Sequence, residues 1–306
     1  MRRPLAEMLA THSPLILDGA MGTELKRRGF DTSLPLWSAN VLRTSTDAVR
    51  QIHCDYLAAG ADIITTDTFR TTRRTFVRSH LPDRSADFTS TAITIASQAR
   101  ATFEGRNILI AGSMAPLEDC YRPDLVPPDK ELKSEHAELA RRLADGGVDF
   151  ILLETMNTVR EAYAACAAAR ATGKEVIVSF ICDDKGRILA GESLADGVRD
   201  VSALNPDGFS INCVSPRHAA LALATLRSVT DLPIAVYANV GHPGSQGSDD
   251  TMRLDVTEDE YAALAAEWLK IGASIIGGCC GTTPAYIARL REILPRRHEG
   301  TKGFLK

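Results

Sequence analysis

The chain has 306 residues, 44% of them hydrophobic and 24% charged, and a formal net charge of −4 at pH 7. This composition is ordinary for a globular protein, and the small negative charge gives no reason to expect nucleic acid or an anionic membrane as a partner. No apolar run approaches the roughly 18 residues of a membrane span, and the N-terminus lacks an apolar signal core.

The cysteine content bears on the cellular compartment. Seven cysteines are scattered along the chain, an odd number that does not suit a disulfide framework. Free thiols are typical of a reducing environment, so we predict a cytoplasmic protein.

A unit of helix end, glycine and apolar strand recurs along the chain, at residues 57–66, 143–154 and 269–276. Glycine at a helix C-terminus followed by a continuous apolar run is typical of buried parallel strands. The same pattern, followed along the whole chain, predicts eight strands: 15–18, 62–66, 108–112, 150–154, 176–181, 208–212, 234–237 and 274–277.

Helical patterns lie between the predicted strands. Residues 46–59 place Val49, Ile52 and Tyr56 on one face, and residues 257–260 form a capping box in front of another helix. Eight alternations of strand and helix, with no linker in mid-chain, favour the α/β class and a single (β/α)8 TIM barrel, which commonly needs about 250 residues. We therefore predict one barrel domain over residues 1–296 and a C-terminal tail over residues 297–306.

Three connections that follow predicted strands are long, at residues 26–44, 113–129 and 239–256. In a barrel these loops lie on the C-terminal face, where active sites are built. Residues 241–250 have no core-forming side chains, and two interpretations stay open for them: a mobile lid or a solvated surface loop.

The last predicted strand ends in two adjacent cysteines, Cys279 and Cys280, with glycines on both sides. Adjacent cysteines do not readily form a disulfide with each other, and two thiolates on one side of a turn suit a soft metal ion. Cys213 ends the sixth predicted strand, so a barrel would bring it to the same rim. Taken alone, Cys213 is more simply a small buried hydrophobe, but its place at a strand end favours a metal ligand. Three thiolates with an open fourth position are typical of a catalytic zinc site.

The charge of such a site indicates its chemistry. Three thiolates on Zn²⁺ give a net negative charge, which makes the ion a poor Lewis acid for generating hydroxide. A thiol substrate in the fourth position would lose a proton that a free thiol, with a pKa of ~8.5, mostly keeps at neutral pH. This pattern predicts alkylation of a substrate thiolate by direct displacement. A metal hydrolase is disfavoured, because the strand ends lack pairs of histidine and aspartate ligands.

Four segments, in this order, closely resemble the homocysteine S-methyltransferase family: DGAMGT at 18–23, LLET at 152–155, NC at 212–213 and GGCCGT at 277–282. The resemblance covers roughly residues 14–295 of the chain. The family contains S-methylmethionine- and betaine-dependent enzymes and the homocysteine module of cobalamin-dependent methionine synthase. The resemblance implies a (β/α)8 barrel that binds zinc through Cys213, Cys279 and Cys280 and methylates homocysteine to methionine. It implies no catalytic group beyond the zinc-activated thiolate of the substrate.

The resemblance also implies substrate-binding residues. Glu154 would hold the ammonium group of homocysteine, with Asp18 and the backbone that begins at Gly19 near the substrate. An ammonium inside a barrel mouth needs an anionic acceptor, and backbone N–H groups at 19–23 could meet its carboxylate. Alternatives stay open: Glu154 in an ion pair with Lys or Arg, and Asp18 as an organiser of the turn at 19–22. Thr66, Asp67, Thr68 and Phe69 would line the floor, and Asn239 could place an oxygen near zinc when substrate is absent.

The methyl donor is less well specified. Phe69, Trp37 and Tyr121 are candidates for a donor pocket, because an aromatic face suits a sulfonium or quaternary ammonium group. For Trp37 and Tyr121, which lie in long loops, an ordinary packing role explains the residues equally well. Residues 112–121 do not match the corresponding loops of the plant-type or betaine-dependent enzymes. The expected partners are thus homocysteine and a small methyl donor (S-methylmethionine, a betaine-like compound or another), without nucleic acid or membrane. A homo-oligomer is compatible with the sequence.

Two other functions fit the same motifs. One is a non-catalytic zinc- or thiol-binding barrel. The other is a methyltransferase that acts on a different thiol or on a selenol. The assay of methyl transfer separates the first from an enzyme, and a panel of acceptors separates the second.

Overall fold

The computed structural model describes residues 3–242 and 253–294. The predicted tail at 297–306 lies outside these ranges, and so does most of the polar segment at 241–250. Among the described residues, no helix is long and apolar enough to cross a membrane.

Eight parallel strands form the barrel, and the predicted (β/α)8 TIM architecture is confirmed. Neighbouring strands pair in the order β1-β10-β7-β6-β5-β4-β3-β2, and a parallel bridge between Leu17 and Ile63 joins the two ends of the sheet. The barrel strands are β1 Leu15–Ile16, β2 Ile63–Thr65, β3 Leu109–Met114, β4 Phe150–Met156, β5 Glu175–Phe180, β6 Gly208–Asn212, β7 Ile234–Ala238 and β10 Ile275–Gly278. A short antiparallel pair, β8 Gly241–His242 and β9 Arg253–Leu254, stands apart from the barrel.

Helices cover the outside of the barrel and follow most of its strands. They are α1 Pro4–His12, α2 Gly22–Arg27, α3 Ala39–Thr44, α4 Thr46–Ala58, α5 Arg73–Arg78, α6 Ser85–Ala101, α7 Asp129–Asp145, α8 Val159–Arg170, α9 Leu194–Ser202, α10 Ala219–Val229, α11 Glu258–Ile271 and α12 Pro284–Ile293, with a 3₁₀ turn at Pro123–Leu125. The capping box predicted at 257–260 is present, because Thr257 and Glu260 bond each other's backbone N–H groups. The helix predicted at 46–59 is α4.

The apolar core has two main layers, one between strands and helices and one inside the barrel. Leu5 and Met8 of α1 belong to the inner layer, so this helix closes the N-terminal end of the barrel. The carboxylate of Glu175, at the start of β5, accepts hydrogen bonds from the backbone N–H groups of Leu5 (2.8 Å) and Ala6 (3.0 Å). An anion at a helix N-terminus satisfies otherwise unpaired N–H groups, which holds α1 in this position. The opposite end of the barrel is left for the site.

Candidate metal centre and substrate cavity

Three cysteines meet at the C-terminal end of the barrel. Cys213 follows β6, and Cys279 and Cys280 follow β10, with β7 between them. The Sγ atom of Cys280 lies 3.9 Å from the Sγ atoms of both Cys213 and Cys279, and all three sulfurs lie within 4.8 Å of one another. A tetrahedral ion with metal–sulfur bonds of about 2.3 Å requires its sulfurs to be about 3.8 Å apart. The three side chains therefore fit one soft metal ion.

The backbone around the cysteine pair depends on a close approach of Thr282. The Thr282 hydroxyl donates to the carbonyl of Cys279 (2.7 Å) and accepts from the N–H of Ala20 (3.1 Å). A Cβ atom on Gly278 would lie 2.3 Å from the Thr282 Oγ1, so only glycine leaves room for this contact. The turn that presents both sulfurs is thus held to the loop after β1.

The three thiols influence one another's protonation. Hydrogen bonds from Cys279 and Cys280 hold the pKa of Cys213 well below its usual value. The same contact with Cys213 raises the pKa of Cys279 and of Cys280 well above theirs. Cys213 is therefore the most acidic of the three thiols, and three sulfur ligands form a donor set suited to a soft cation.

Two polar side chains border the cysteines. The Tyr121 hydroxyl lies 3.1 Å from the Sγ atom of Cys213. The Asn239 Oδ1 accepts a hydrogen bond from the N–H of Cys280 (3.1 Å), and the Asn239 side chain also lowers the pKa of Cys213 by hydrogen bonding. Tyr121, predicted as a wall of a donor pocket, thus also contacts a candidate metal ligand.

Two carboxyl groups, Asp18 and Glu154, face the same space. Asp18 is buried, and its two oxygens accept hydrogen bonds from the N–H (2.8 Å) and hydroxyl (2.9 Å) of Thr65. Burial raises the pKa of Asp18 to about 8, with a further contribution from the charge of Glu154. Burial likewise raises the pKa of Glu154 to about 7. Among the described residues Glu154 has no lysine or arginine partner, so the ion-pair alternative is not found there. A bound cation would favour the ionised form of these two buried carboxyl groups, so the site favours a cationic ligand.

A cavity of about 430 Å³ opens beside the sulfurs. Its wall contains all the predicted site residues except Asn239, namely Asp18, Gly19, Trp37, Thr66, Phe69, Tyr121, Glu154, Cys213, Cys279 and Cys280. The indole of Trp37 packs on Gly22, where a Cβ atom would lie 2.1 Å from the indole Nε1. The aromatic candidates and the metal ligands therefore share one space.

Sequence reasoning missed some residues of this wall. Phe30 adds another aromatic ring, and Arg70 adds a cation directly after Phe69. Asp67 was expected at the floor of the site, but its partner was not: it accepts a hydrogen bond from the Ser38 hydroxyl (2.5 Å), and burial raises the pKa of Asp67 to about 6. The position of Arg70 just beyond a strand end was a usable signal, whereas the partner of Asp67 comes from a loop whose course the sequence does not specify.

Known proteins resemble this chain over nearly its whole length. A family model described as homocysteine S-methyltransferase matches residues 15–294. The homocysteine S-methyltransferase of Escherichia coli is 32% identical over 308 residues, which cover 94% of this chain and 97% of that protein. The selenocysteine Se-methyltransferase of Brassica oleracea is 30% identical, covering 92% of this chain and 89% of its own.

A solved structure shows the same similarity. The metallated form of the homocysteine methyltransferase MmuM from Escherichia coli superimposes with a TM-score of 0.83 at 29% identity. The match covers 95% of this chain and 99% of that one.

Proposed function

The chain belongs to the homocysteine S-methyltransferase family, and we propose that it binds zinc through Cys213, Cys279 and Cys280 and transfers a methyl group to homocysteine, giving methionine. The observation that carries the zinc site is the 3.9 Å spacing of the sulfurs at the wall of a cavity large enough for two small substrates. Zinc fits because three thiolates favour soft or borderline ions and the transfer requires no redox change.

Different residues of the cavity bind the metal ion, the acceptor and the donor. When bound, zinc supplies a means of deprotonating the acceptor thiol at neutral pH. Glu154 and Asp18 accept the ammonium group of homocysteine, whose charge offsets the cost of ionising two buried carboxyls. Phe69, Trp37 and Tyr121 line the cavity for the donor and exclude water from it.

The transfer itself is a displacement. The homocysteine thiol releases its proton to solvent, and its sulfur then forms a bond to the methyl carbon of the donor. The bond from that carbon to the donor's sulfur or nitrogen breaks with its electron pair. The leaving group departs neutral when the donor is a sulfonium or quaternary ammonium compound. No side chain needs to act as acid or base in this step, so the work of the protein is to hold the two reactants in line.

The metal ligands are tested by Cys213→Ser. We expect the purified wild-type protein to contain about one equivalent of zinc and to form methionine from homocysteine and S-methylmethionine. Cys213→Ser should lose most of the metal, because two thiolates remain of three. Metal content is measured by atomic emission, and methionine by mass spectrometry.

Cys54→Ser is the matched control, because Cys54 lies on α4 outside the cysteine cluster. It should keep both metal and activity. Wild-type protein without zinc, or Cys213→Ser with full zinc, would contradict the proposed site. Tight zinc with no methyl transfer from any sulfonium, betaine or methyl-corrinoid donor would instead favour a non-catalytic barrel.

A selenol acceptor is a second candidate for the same site, because the relative from Brassica oleracea is named for methylation of selenocysteine. The comparison of homocysteine with selenocysteine as acceptor, at equal donor concentration, decides between the two. A higher kcat/KM for the selenol would make it the preferred substrate.

A further inference from the structure

A half-buried arginine, Arg70, lies in the wall of the cavity and has no role in the displacement described above. Its Nη1 donates a hydrogen bond to the carbonyl oxygen of Glu118 (3.0 Å). Its Cζ atom lies 5.5 Å from the centroid of the Phe69 ring. These contacts fix part of the guanidinium group, and its other N–H groups have no hydrogen-bond partner among the described residues.

The anchor of Arg70 is itself rigidly held. Glu118 is only 3% exposed, and its carboxylate is bound by Arg74 (2.8 Å) and by Arg78. Arg74 also contacts Glu135 at 2.6 Å. Arg74 and Arg78 of α5 are therefore both paired with carboxylates, and the carboxylate of Glu118 is occupied. Arg70 hydrogen-bonds only to the backbone carbonyl oxygen of Glu118, so the Glu118 carboxylate does not neutralise its positive charge.

The acidic side chains of the cavity do not pair with Arg70. Asp18 is bound by Thr65, Asp67 by Ser38, and Asp31 by Asn40 at 2.8 Å. No carboxylate of the described chain lies within ion-pair distance of Arg70, although it is the one arginine among the described residues of the wall. A planar guanidinium with free N–H groups, held in place before binding, suits a carboxylate ligand.

We propose that Arg70 binds a carboxylate group of the methyl donor. The donor is then an onium compound that carries a carboxylate: its anionic end lies at Arg70, and its methyl group points toward the sulfurs of the metal centre. The inference rests on the proposed methyl transfer and extends it, because it specifies the part of the donor that does not react. The ring of Phe69 lies against the guanidinium group of Arg70 and lines the same cavity.

A pair of sulfonium probes tests this assignment. Dimethylsulfonioacetate carries a carboxylate, and the trimethylsulfonium ion does not. Binding is measured by calorimetry on the zinc-loaded protein in the presence of 2-aminobutyrate, which fills the amino-acid site but has no thiol to methylate. We expect Arg70→Met to weaken dimethylsulfonioacetate binding by about 10- to 100-fold and to leave trimethylsulfonium binding unchanged or slightly tighter.

Two further variants separate recognition from structure. Arg70→Lys should recover part of the affinity, because a lysine keeps the charge but not the planar fork. Arg141→Met removes an exposed arginine outside the cavity and should bind both probes as the wild type does. Equal binding of dimethylsulfonioacetate by wild type and Arg70→Met would overturn the proposal, and so would equal binding of both probes by the wild type.

Turnover distinguishes the acceptor from the donor. In assays with a carboxylate-bearing sulfonium, Arg70→Met should raise the KM for the donor and leave the KM for homocysteine nearly unchanged. A rise confined to the KM for homocysteine would assign Arg70 to the acceptor and overturn the proposal. Failure of every onium donor to yield methionine would overturn the proposed function instead, while the binding experiment would still decide the role of Arg70.

Discussion

At the scale of single residues, ionising the buried carboxyl groups of Asp18 and Glu154 reduces the stability of the fold. Burial raises the pKa of Asp18 to about 8 and that of Glu154 to about 7, and the described chain offers Glu154 no cationic partner. An acid whose folded pKa lies above its unfolded value stabilises the fold while it is protonated. That contribution is lost as the pH rises through the folded pKa. Near pH 8 the empty site is therefore destabilised in a way that an ammonium ligand relieves.

The variant Glu154→Gln measures how much stability the fold loses when Glu154 ionises. The unfolded pKa of Glu154 is 4.5 and the folded value is about 7, so the wild type loses stability between these pH values, whereas the glutamine variant has no such charge. Without substrate, we expect the variant to melt higher than the wild type at pH 8, by about 3 °C for each kcal/mol gained, and equally at pH 4.5. Scanning calorimetry at the two pH values measures the difference.

The same substitution should weaken the binding of homocysteine. The KM for homocysteine at pH 8 should rise by about 10- to 100-fold, because the ammonium loses a charged acceptor. The fall in wild-type kcat/KM below pH 7 should become shallower, with only Asp18 left to titrate. Glu104→Gln, at an exposed position, should change neither property. An unchanged KM for Glu154→Gln would contradict the assignment.

At the scale of elements, the eight strands were predictable because each contains a short apolar run, and a glycine stop precedes most of these runs. Their ends were less so. The strand predicted at 15–18 is a regular strand only at Leu15–Ile16, because Leu17 forms an isolated bridge and the Asp18 side chain bonds Thr65. The β8–β9 pair was not predicted, since β8 begins in a segment without core-forming residues.

The site residues that stand at strand ends could be predicted from the sequence, and the pairings made by loops and helices could not. The barrel brings the ends of β6 and β10 to one rim, so three cysteines that are distant in sequence could be grouped from topology alone. The strand end also places Arg70 at this rim, but its lack of a carboxylate partner could not be predicted, because it depends on how Glu118 is paired by Arg74 and Arg78. Such pairings between loops and helices have no periodic signal in the sequence.

Gly278→Ala tests how β10 positions its cysteines. The added Cβ would collide with Thr282, whose hydroxyl holds the carbonyl of Cys279. We expect zinc affinity to fall at least about tenfold, while overpacking reduces the free energy of unfolding by about 1–3 kcal/mol. Competition with a zinc-binding dye measures the affinity, and urea titration measures the stability.

The control for Gly278→Ala is Gly105→Ala. Gly105 has a φ of 80° with no other atom near the position of a Cβ, so alanine strains the backbone without a clash. This variant should lose stability but keep its zinc affinity. Equal zinc affinity in Gly278→Ala and the wild type would show that the turn does not depend on Thr282.

At the scale of the whole molecule, a buried histidine limits stability in acid. His53 of α4 is fully buried, neither ring nitrogen has a partner among the described residues, and burial lowers its pKa from 6.5 to about 4. A base with a depressed folded pKa stabilises the fold above its unfolded pKa, and that contribution is lost as the pH falls through the folded value. The loss amounts to about 3 kcal/mol between pH 6.5 and 4.

His53→Leu should therefore shift acid unfolding to lower pH. Leucine cannot take up the proton that favours the unfolded chain, so the free energy of unfolding should depend less on pH between 6.5 and 4. Urea titrations at pH 7 and pH 5 measure this dependence. His218→Leu, at an exposed histidine, should retain the wild-type dependence. If His53→Leu unfolds at the same pH as the wild type, the acid sensitivity lies elsewhere.

The distance along the chain between Cys213 and its partners has a consequence for folding. Cys280 is 67 residues away from Cys213, so an unfolded chain must close a long loop before a third sulfur can join the adjacent pair. Closing a loop of that length costs about 4 kcal/mol in conformational entropy. The unfolded chain is then limited to a two-sulfur chelate, whereas the barrel offers all three sulfurs at once. Release of the ion would therefore coincide with disassembly of β6 and β10, and a chromogenic chelator would report the integrity of this half of the barrel.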